Sequence, residues 1–170
     1  HIPYEINSRH WEDFGSRNSK NLNEPYMYLT IKSIIEHCNN SFNICLIDDS
    51  TFNKLLPDWN INLNYVEDPI KNNLRKLGLM KLLYIYGGMV IPPSFICSKN
   101  LKSLYNEGTY NNVKPFACEI VSRNSTSTLV DFFPSNEMFG APKKDKVIKD
   151  YITYSEKLLS KDATNESVFD

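Results

Sequence analysis

The chain has 170 residues, 41% of them hydrophobic, and 19 basic against 20 acidic residues leave a net charge of −1. That length suits one domain with a single core. The balanced charge gives no electrostatic footprint for nucleic acid or an anionic membrane surface. No apolar run reaches the roughly 18 to 20 residues of a membrane span; the longest, Leu77 to Ile91, is interrupted by Lys81, Gly87 and Gly88. Residue 1 is histidine and no signal-like segment precedes it, so we expect a single domain over 1–170, with a polar tail from 160 to 170, cut from a longer chain.

Cys38, Cys45, Cys97 and Cys118 are scattered without a Cys-x-x-Cys pair, which indicates neither a zinc nor a redox motif. Buried free thiols in a reducing compartment are favoured over disulfides. Asn39, Asn124 and Asn165 each begin an Asn-x-Ser/Thr triplet, but in a chain this rich in asparagine such triplets arise by chance.

In chain order, Ile2 to Asn7 is β-prone and predicts an opening strand, and His10 to Asn21 a loop. Asn23-Glu24-Pro25 starts a helix by capping logic, with Met27, Ile31, Ile34, Ile35 and Cys38 forming its apolar stripe. Phe42 to Ile47 is a near-continuous apolar run closed by Asp48-Asp49-Ser50, the pattern of a parallel strand covered on both faces. A short helix over Thr51 to Leu56 and a strand over Asn62 to Val66 follow.

Asp68-Pro69 is expected to cap a long central helix whose leucines occupy most of its circumference, which predicts deep burial. Gly78 in its middle marks a close crossing with another element. Gly87-Gly88 ends the helix, since glycine takes positive φ there. Met89 to Ile91 is a short strand broken by Pro92-Pro93. Later come a helical turn at Leu101 to Tyr105, a loop to Lys114 and a strand over Pro115 to Val121. A hydroxyl-rich loop at Ser122 to Thr128, a short strand over Met138 to Ala141 and an amphipathic helix over Asp145 to Leu159 complete the chain.

Several residues have both a chemical and a plainer reading. Asp48 and Asp49 follow the carboxyl end of a strand, where open α/β sheets place ligands; one could hold a ribose hydroxyl or act as a general base. The plainer reading has Asp49 or Ser50 capping the next helix and Asp48 in solvent. Arg75 suits bidentate phosphate binding, or a salt bridge with Glu67 or Asp68. Glu119 is a candidate catalytic carboxylate, or an exposed strand residue. Arg9, His10 and Arg17 are candidate diphosphate partners, or solvated loop charge. His37 suits a helix C-terminus. Nucleotide-binding glycine loops, the Walker lysine, the hydrolase elbow and the His-Glu-x-x-His motif are all missing.

Arg75, the helix after it, Tyr86-Gly87-Gly88 and the short strand to Ile91 occur in the order of a known pattern. They resemble the core of sugar transferases with the GT-A fold, in which Asp-x-x-Arg, a helix, Tyr-Gly-Gly and Asp-x-Asp succeed one another. Ile2-Pro3, Trp11, Leu46 to Asp49 and Phe139 to Lys144 resemble the flanking segments, so the likeness spans about residues 2 to 155. The closest look is to glycosyltransferase-like proteins of large DNA viruses.

The resemblance implies a single α/β domain with a mainly parallel sheet flanked by helices. It implies a nucleotide-sugar donor held by the positions of Asn72, Arg75, Gly87, Gly88 and Ser94, and a glycan or protein acceptor. Asn72 replaces the first aspartate of the pattern, and Pro92 and Ser94 replace the metal-binding pair. Proline and neutral serine are poor ligands for Mg or Mn, so the expected activity is metal-independent. The alternative is a catalytically inactive module in a larger assembly.

Overall fold

A computed structural model of the chain describes residues 24–119 and 132–160. The expected opening strand, the loop carrying Arg9, His10 and Arg17, the hydroxyl-rich loop with Arg123, Asp131, and the tail after 160 lie outside the described residues. Within them the order is α1 (Glu24–Cys38), α2 (Phe52–Leu55), a 3-10 turn (Leu63–Tyr65), α3 (Ile70–Tyr86), β1 (Gly88–Val90), α4 (Lys102–Gly108), β2 (Phe116–Glu119), β3 (Pro134–Ala141) and α5 (Lys146–Ser160). Helix and strand are mixed.

Every strand pairing among the described residues is antiparallel, in the order β1-β3-β2. Gly88 faces Ala141, Val90 faces Phe139 and Phe116 faces Gly140. The expected mainly parallel sheet is therefore not what these three strands form. The short strand expected at Met138 to Ala141 is instead the central strand, eight residues long. Residues 43–48 run without helix or ladder, so the strand expected there has no hydrogen-bonded neighbour among the described residues.

Two apolar clusters lie on opposite sides of β1, because successive strand residues face opposite ways. Val90 packs with Leu74, Leu77, Leu82 and Leu83 of α3, Phe52 of α2 and Ile148 and Ile152 of α5. Met89 and Ile91 pack with Cys38 and Ile34 of α1, Cys97 and Leu101. β1 is thus covered by helices on both faces, the cover that the apolar patterning predicts for residues 42–47 instead.

α3 is the buried rod that its sequence predicts, with Leu74, Arg75, Leu77, Gly78, Leu82 and Leu83 all buried. Gly78 is where α2 crosses it: a Cβ there would lie 2.6 Å from the Phe52 ring, so only glycine lets the ring sit against the helix backbone. At the front of α3, Pro69 occupies the N-cap with no side-chain cap, so Asp68 does not cap it.

Three other expectations are corrected. Asn62 to Val66 forms a 3-10 turn because the Asn62 side chain accepts a hydrogen bond from the Asn64 amide, the local competition that draws asparagine out of strands. Leu63 is buried while Tyr65 is 87% exposed, so they do not share a face. The turn at 101–105 extends into α4, strapped by Lys102 N–H to the Asn100 side chain. α5 begins beyond Asp145, whose carboxylate accepts from the Ile148 amide. It buries Ile148 and Ile152 but leaves Val147, Tyr151 and Tyr154 exposed.

Candidate functional site

The 43–48 run ends in a tight turn organised by Asp48. Its amide donates to Thr51 Oγ1 at 2.6 Å. The Thr51 hydroxyl in turn faces Asp48 O at 2.8 Å and Oδ1 at 2.7 Å, and Ser50 Oγ donates to the same Oδ1 at 2.7 Å. These hydroxyls, Thr51 first and Ser50 second, hold the Asp48 carboxyl below its ordinary 3.8, because hydrogen bonds to a carboxylate favour its charged form. Asp48 thus does the turn-making expected of Asp49 or Ser50. The Asp-Asp-Ser-Thr string after an apolar run carries that signal, in the form of a local Asx/hydroxyl turn.

Asp49 instead reaches α3. Arg75 Nε donates to its Oδ1 at 2.8 Å and Nη2 to its Oδ2 at 2.6 Å, with the side chains 9% and 26% exposed. This is the parallel fork that guanidinium and carboxylate form best, and pairing is what makes a buried charge tolerable. The partner is not Glu67 or Asp68. Both are exposed and lie about 10 Å or more up the axis from residue 75 at 1.5 Å per residue, whereas the 43–48 run delivers Asp49 to the helix side.

At the far end of α3, Gly87 has φ +71° and ψ −175°, and a Cβ on it would lie 2.9 Å from the Lys143 amide nitrogen. The Lys144 amide donates to Tyr84 O at 2.8 Å, so the segment joining β3 to α5 docks on the helix end. Gly88 also has positive φ, at 107°. Tyr105 Oη donates to the carbonyl of Ala141, the ladder partner of Gly88, at 3.2 Å, and burial pushes its phenol up. Gly87 and Gly88 therefore serve chain reversal and close packing.

The remaining candidates are dispersed. Asn72 is exposed one turn before Arg75 and on the same side of the helix. Ser94 is exposed in the turn closed by Phe95 N–H to Pro92 O at 3.0 Å, and its carbonyl accepts from Tyr26 Oη at 3.1 Å. Glu119 ends β2, two strand positions from β1, about 9 to 10 Å across the sheet. Glu119 is exposed and stands apart from Asp48.

Among the described residues this edge offers few oxygen ligands for a divalent metal. Pro92 has no side-chain donor and Ser94 is neutral, Asp48 Oδ1 is engaged by hydroxyls and Asp49 by Arg75. Among the described residues no group of three or more His, Cys, Asp or Glu side chains is placed to share an ion.

A slot of about 560 Å³ is lined by Phe42, Asn43, Cys45 and Ile47, by Gly88 to Ile91, and by Leu79, Leu82 and Leu83 of α3. A smaller one of about 150 Å³ lies on the α1 side against Ile31, Ile34, Pro92 and Pro93. Neither is lined by Asp48, Asn72, Arg75 or Ser94.

No protein-family model, no curated protein and no solved structure matches the chain.

Proposed function

We propose that this chain is a glycosyltransferase-like domain of GT-A type, binding a nucleotide-sugar at the edge marked by Asp48, Asp49 and Arg75 and passing the sugar to a glycan or protein acceptor without a metal. The observation that carries this reading is the course of the chain around the 560 Å³ slot. Phe42, at the start of the extended run, packs edge-on against Tyr105, beside Gly88. Asp49, just past its end, pairs with Arg75, twelve residues and about 18 Å back along α3 from Gly87.

The run therefore goes opposite to α3, and β1 folds back along the same helix, with Val90 in the α3 cluster. Two extended segments with one direction, joined through a helix, are the elements of a parallel βαβ unit.

In this reading Arg75 is a positioning residue that holds the strand end to the helix. Asp48, kept ionised by its hydroxyls, suits accepting hydrogen bonds from sugar hydroxyls better than removing a proton, because a lowered pKa weakens a base. Asn72 and Ser94 add exposed polar contacts, and Arg9, His10 and Arg17 are the cations available for the diphosphate.

A second reading, an inactive module with a binding or structural role in a larger assembly, is favoured by Pro92 and Ser94 standing where the metal pair is expected. A thermal shift series with UDP- and GDP-sugars, with and without Mn, separates the two. A Mn-independent rise in melting temperature supports the donor site, and no shift with any nucleotide supports the inactive module.

A further inference from the structure

Four contacts strap residues 94–100 along α1. Tyr26 Oη donates to Ser94 O, the Cys97 amide donates to Ser33 Oγ at 2.9 Å, and Asn100 Nδ2 donates to Ser41 Oγ at 2.9 Å. The fourth contact is between two thiols. Cys38 ends α1 and Cys97 lies in the strap; each is 2% exposed, and their sulfurs are 3.7 Å apart. Cys45, by contrast, is exposed, and Cys118 is half-buried on β2.

We propose that Cys38 and Cys97 are a disulfide-forming site, taking a low-molecular-weight disulfide such as oxidised glutathione as oxidant, which covalently locks the 92–100 segment to the end of α1. This is independent of the glycosyltransferase reading. The sulfurs need to approach by about 1.7 Å to reach the ~2.05 Å of an S–S bond, and the flanking hydrogen bonds already hold both backbones in place.

In the exchange, one cysteine thiolate attacks a sulfur of glutathione disulfide, forming a mixed disulfide and releasing a glutathione thiolate. The second cysteine thiolate then attacks the protein sulfur of that mixed disulfide and releases the second glutathione. The two thiol protons end on the two glutathiones. Two protein thiols are oxidised, and one glutathione disulfide is reduced to two thiols. Burial pushes the Cys97 thiol up, and both sulfurs are shielded, so the reaction proceeds through local opening and is slow on the folded protein.

The smaller cavity gives the bond a structural consequence. Cys38, Pro92 and Pro93 all line it, so a link from Cys38 to Cys97 fixes the wall carrying the Pro92–Phe95 turn. The link also closes a loop of about 60 residues, which raises the melting temperature by about 10 °C in the chain-entropy account.

The test equilibrates the folded chain in reduced and oxidised glutathione, traps free thiols by alkylation, and maps the cysteines by non-reducing peptide mass spectrometry alongside thermal melts. The expected result is a Cys38–Cys97 linked peptide two hydrogens lighter than the sum of its parts, with Cys45 and Cys118 still alkylated or carrying glutathione. The oxidised protein melts about 10 °C higher. That increment disappears in Cys38→Ser and Cys97→Ser and persists in Cys45→Ser. Full alkylation of Cys38 and Cys97 after denaturation at every redox ratio overturns the proposal, as does a link from either of them to Cys45 or Cys118. If both serine variants fail to fold, the wild-type peptide map alone decides.

Discussion

Arg75 and Asp49 share two parallel hydrogen bonds of 2.8 and 2.6 Å across 26 residues of sequence, joining the turn after the 43–48 run to the buried face of α3. Removing either partner leaves the other charge in a site with little solvent. Asp49→Ala is expected to destabilise by about 2 to 4 kcal/mol. Arg75→Lys loses the fork but keeps the charge, and is expected to cost about 1 to 2 kcal/mol. Urea denaturation of Asp49→Ala, Arg75→Ala and the double of the two measures the coupling, predicted at about 1 to 3 kcal/mol. Additive single-mutant effects contradict the pairing.

Gly78 sits where the Phe52 ring meets the α3 backbone, with no room for a methyl group. Alanine is the better helix former by about 1 kcal/mol, yet Gly78→Ala is expected to lower stability by about 1 to 3 kcal/mol through overpacking. Adding Phe52→Leu to Gly78→Ala should cost less than Phe52→Leu costs alone. Chemical denaturation of the three variants settles the sign.

Gly87 holds a backbone conformation that side chains rarely adopt, and it also approaches Lys143. Gly87→Ala is expected to cost about 1 to 3 kcal/mol. Gly88→Ala carries backbone strain alone, because nothing lies within 4 Å of a Cβ there. A greater loss of melting temperature at 87 than at 88 is the expected outcome.

Trp59 is 5% exposed, stacks obliquely on Phe52 at 5.1 Å, and its indole N–H has no hydrogen-bond partner among the described residues. Trp59→Phe removes a buried unsatisfied donor, whose burial costs about 1 to 3 kcal/mol, together with some packing volume. The two effects oppose, so its unfolding midpoint should lie within about 1 kcal/mol of wild type, whereas Trp59→Ala is expected to lose about 3 to 5 kcal/mol.

Asp48 gives a pH dependence of defined sign. Its folded carboxyl lies below the ordinary 3.8, so its stabilising contribution is complete above that value and is lost as pH falls through the folded value. Thr51→Val removes the largest cause. Between about pH 5 and pH 2.5, the urea midpoint of wild type should fall further than that of Thr51→Val. Parallel curves contradict the assignment.

The sequence made legible what local pattern and burial decide. α1, α3 and α5 lie close to where apolar periodicity places them, and Gly78 and Gly87 do what their positions imply. His37 lies in the last turn of α1 as expected. Contacts between distant segments were not legible. No spacing rule links Asp49 to Arg75 or Cys38 to Cys97, since each pair meets only because the 43–48 run and the 94–100 strap pack on helices. The sequence reading makes β3 too short because Pro134 to Glu137 is polar and mostly exposed; this end pairs with β2, where Glu119 faces Pro134, rather than showing side-chain alternation. At the candidate site, the sequence reading gives the cap to Asp49 or Ser50 and the Arg75 partner to Glu67 or Asp68, whereas Asp48 organises the turn and Asp49 crosses to α3, because a single residue's shift decides which carboxylate faces the helix.

The most direct measurement is a titration of isotope-labelled protein with UDP and with GDP, without Mn, followed by amide resonance shifts to about 10 mM nucleotide. The account predicts saturable shifts concentrated at residues 48–51, 72–75 and 94–96, leaving β2 and α5 unmoved. Silence throughout the spectrum with both nucleotides, or movement confined to β2 and α5, contradicts a nucleotide-sugar site at the Asp49–Arg75 edge.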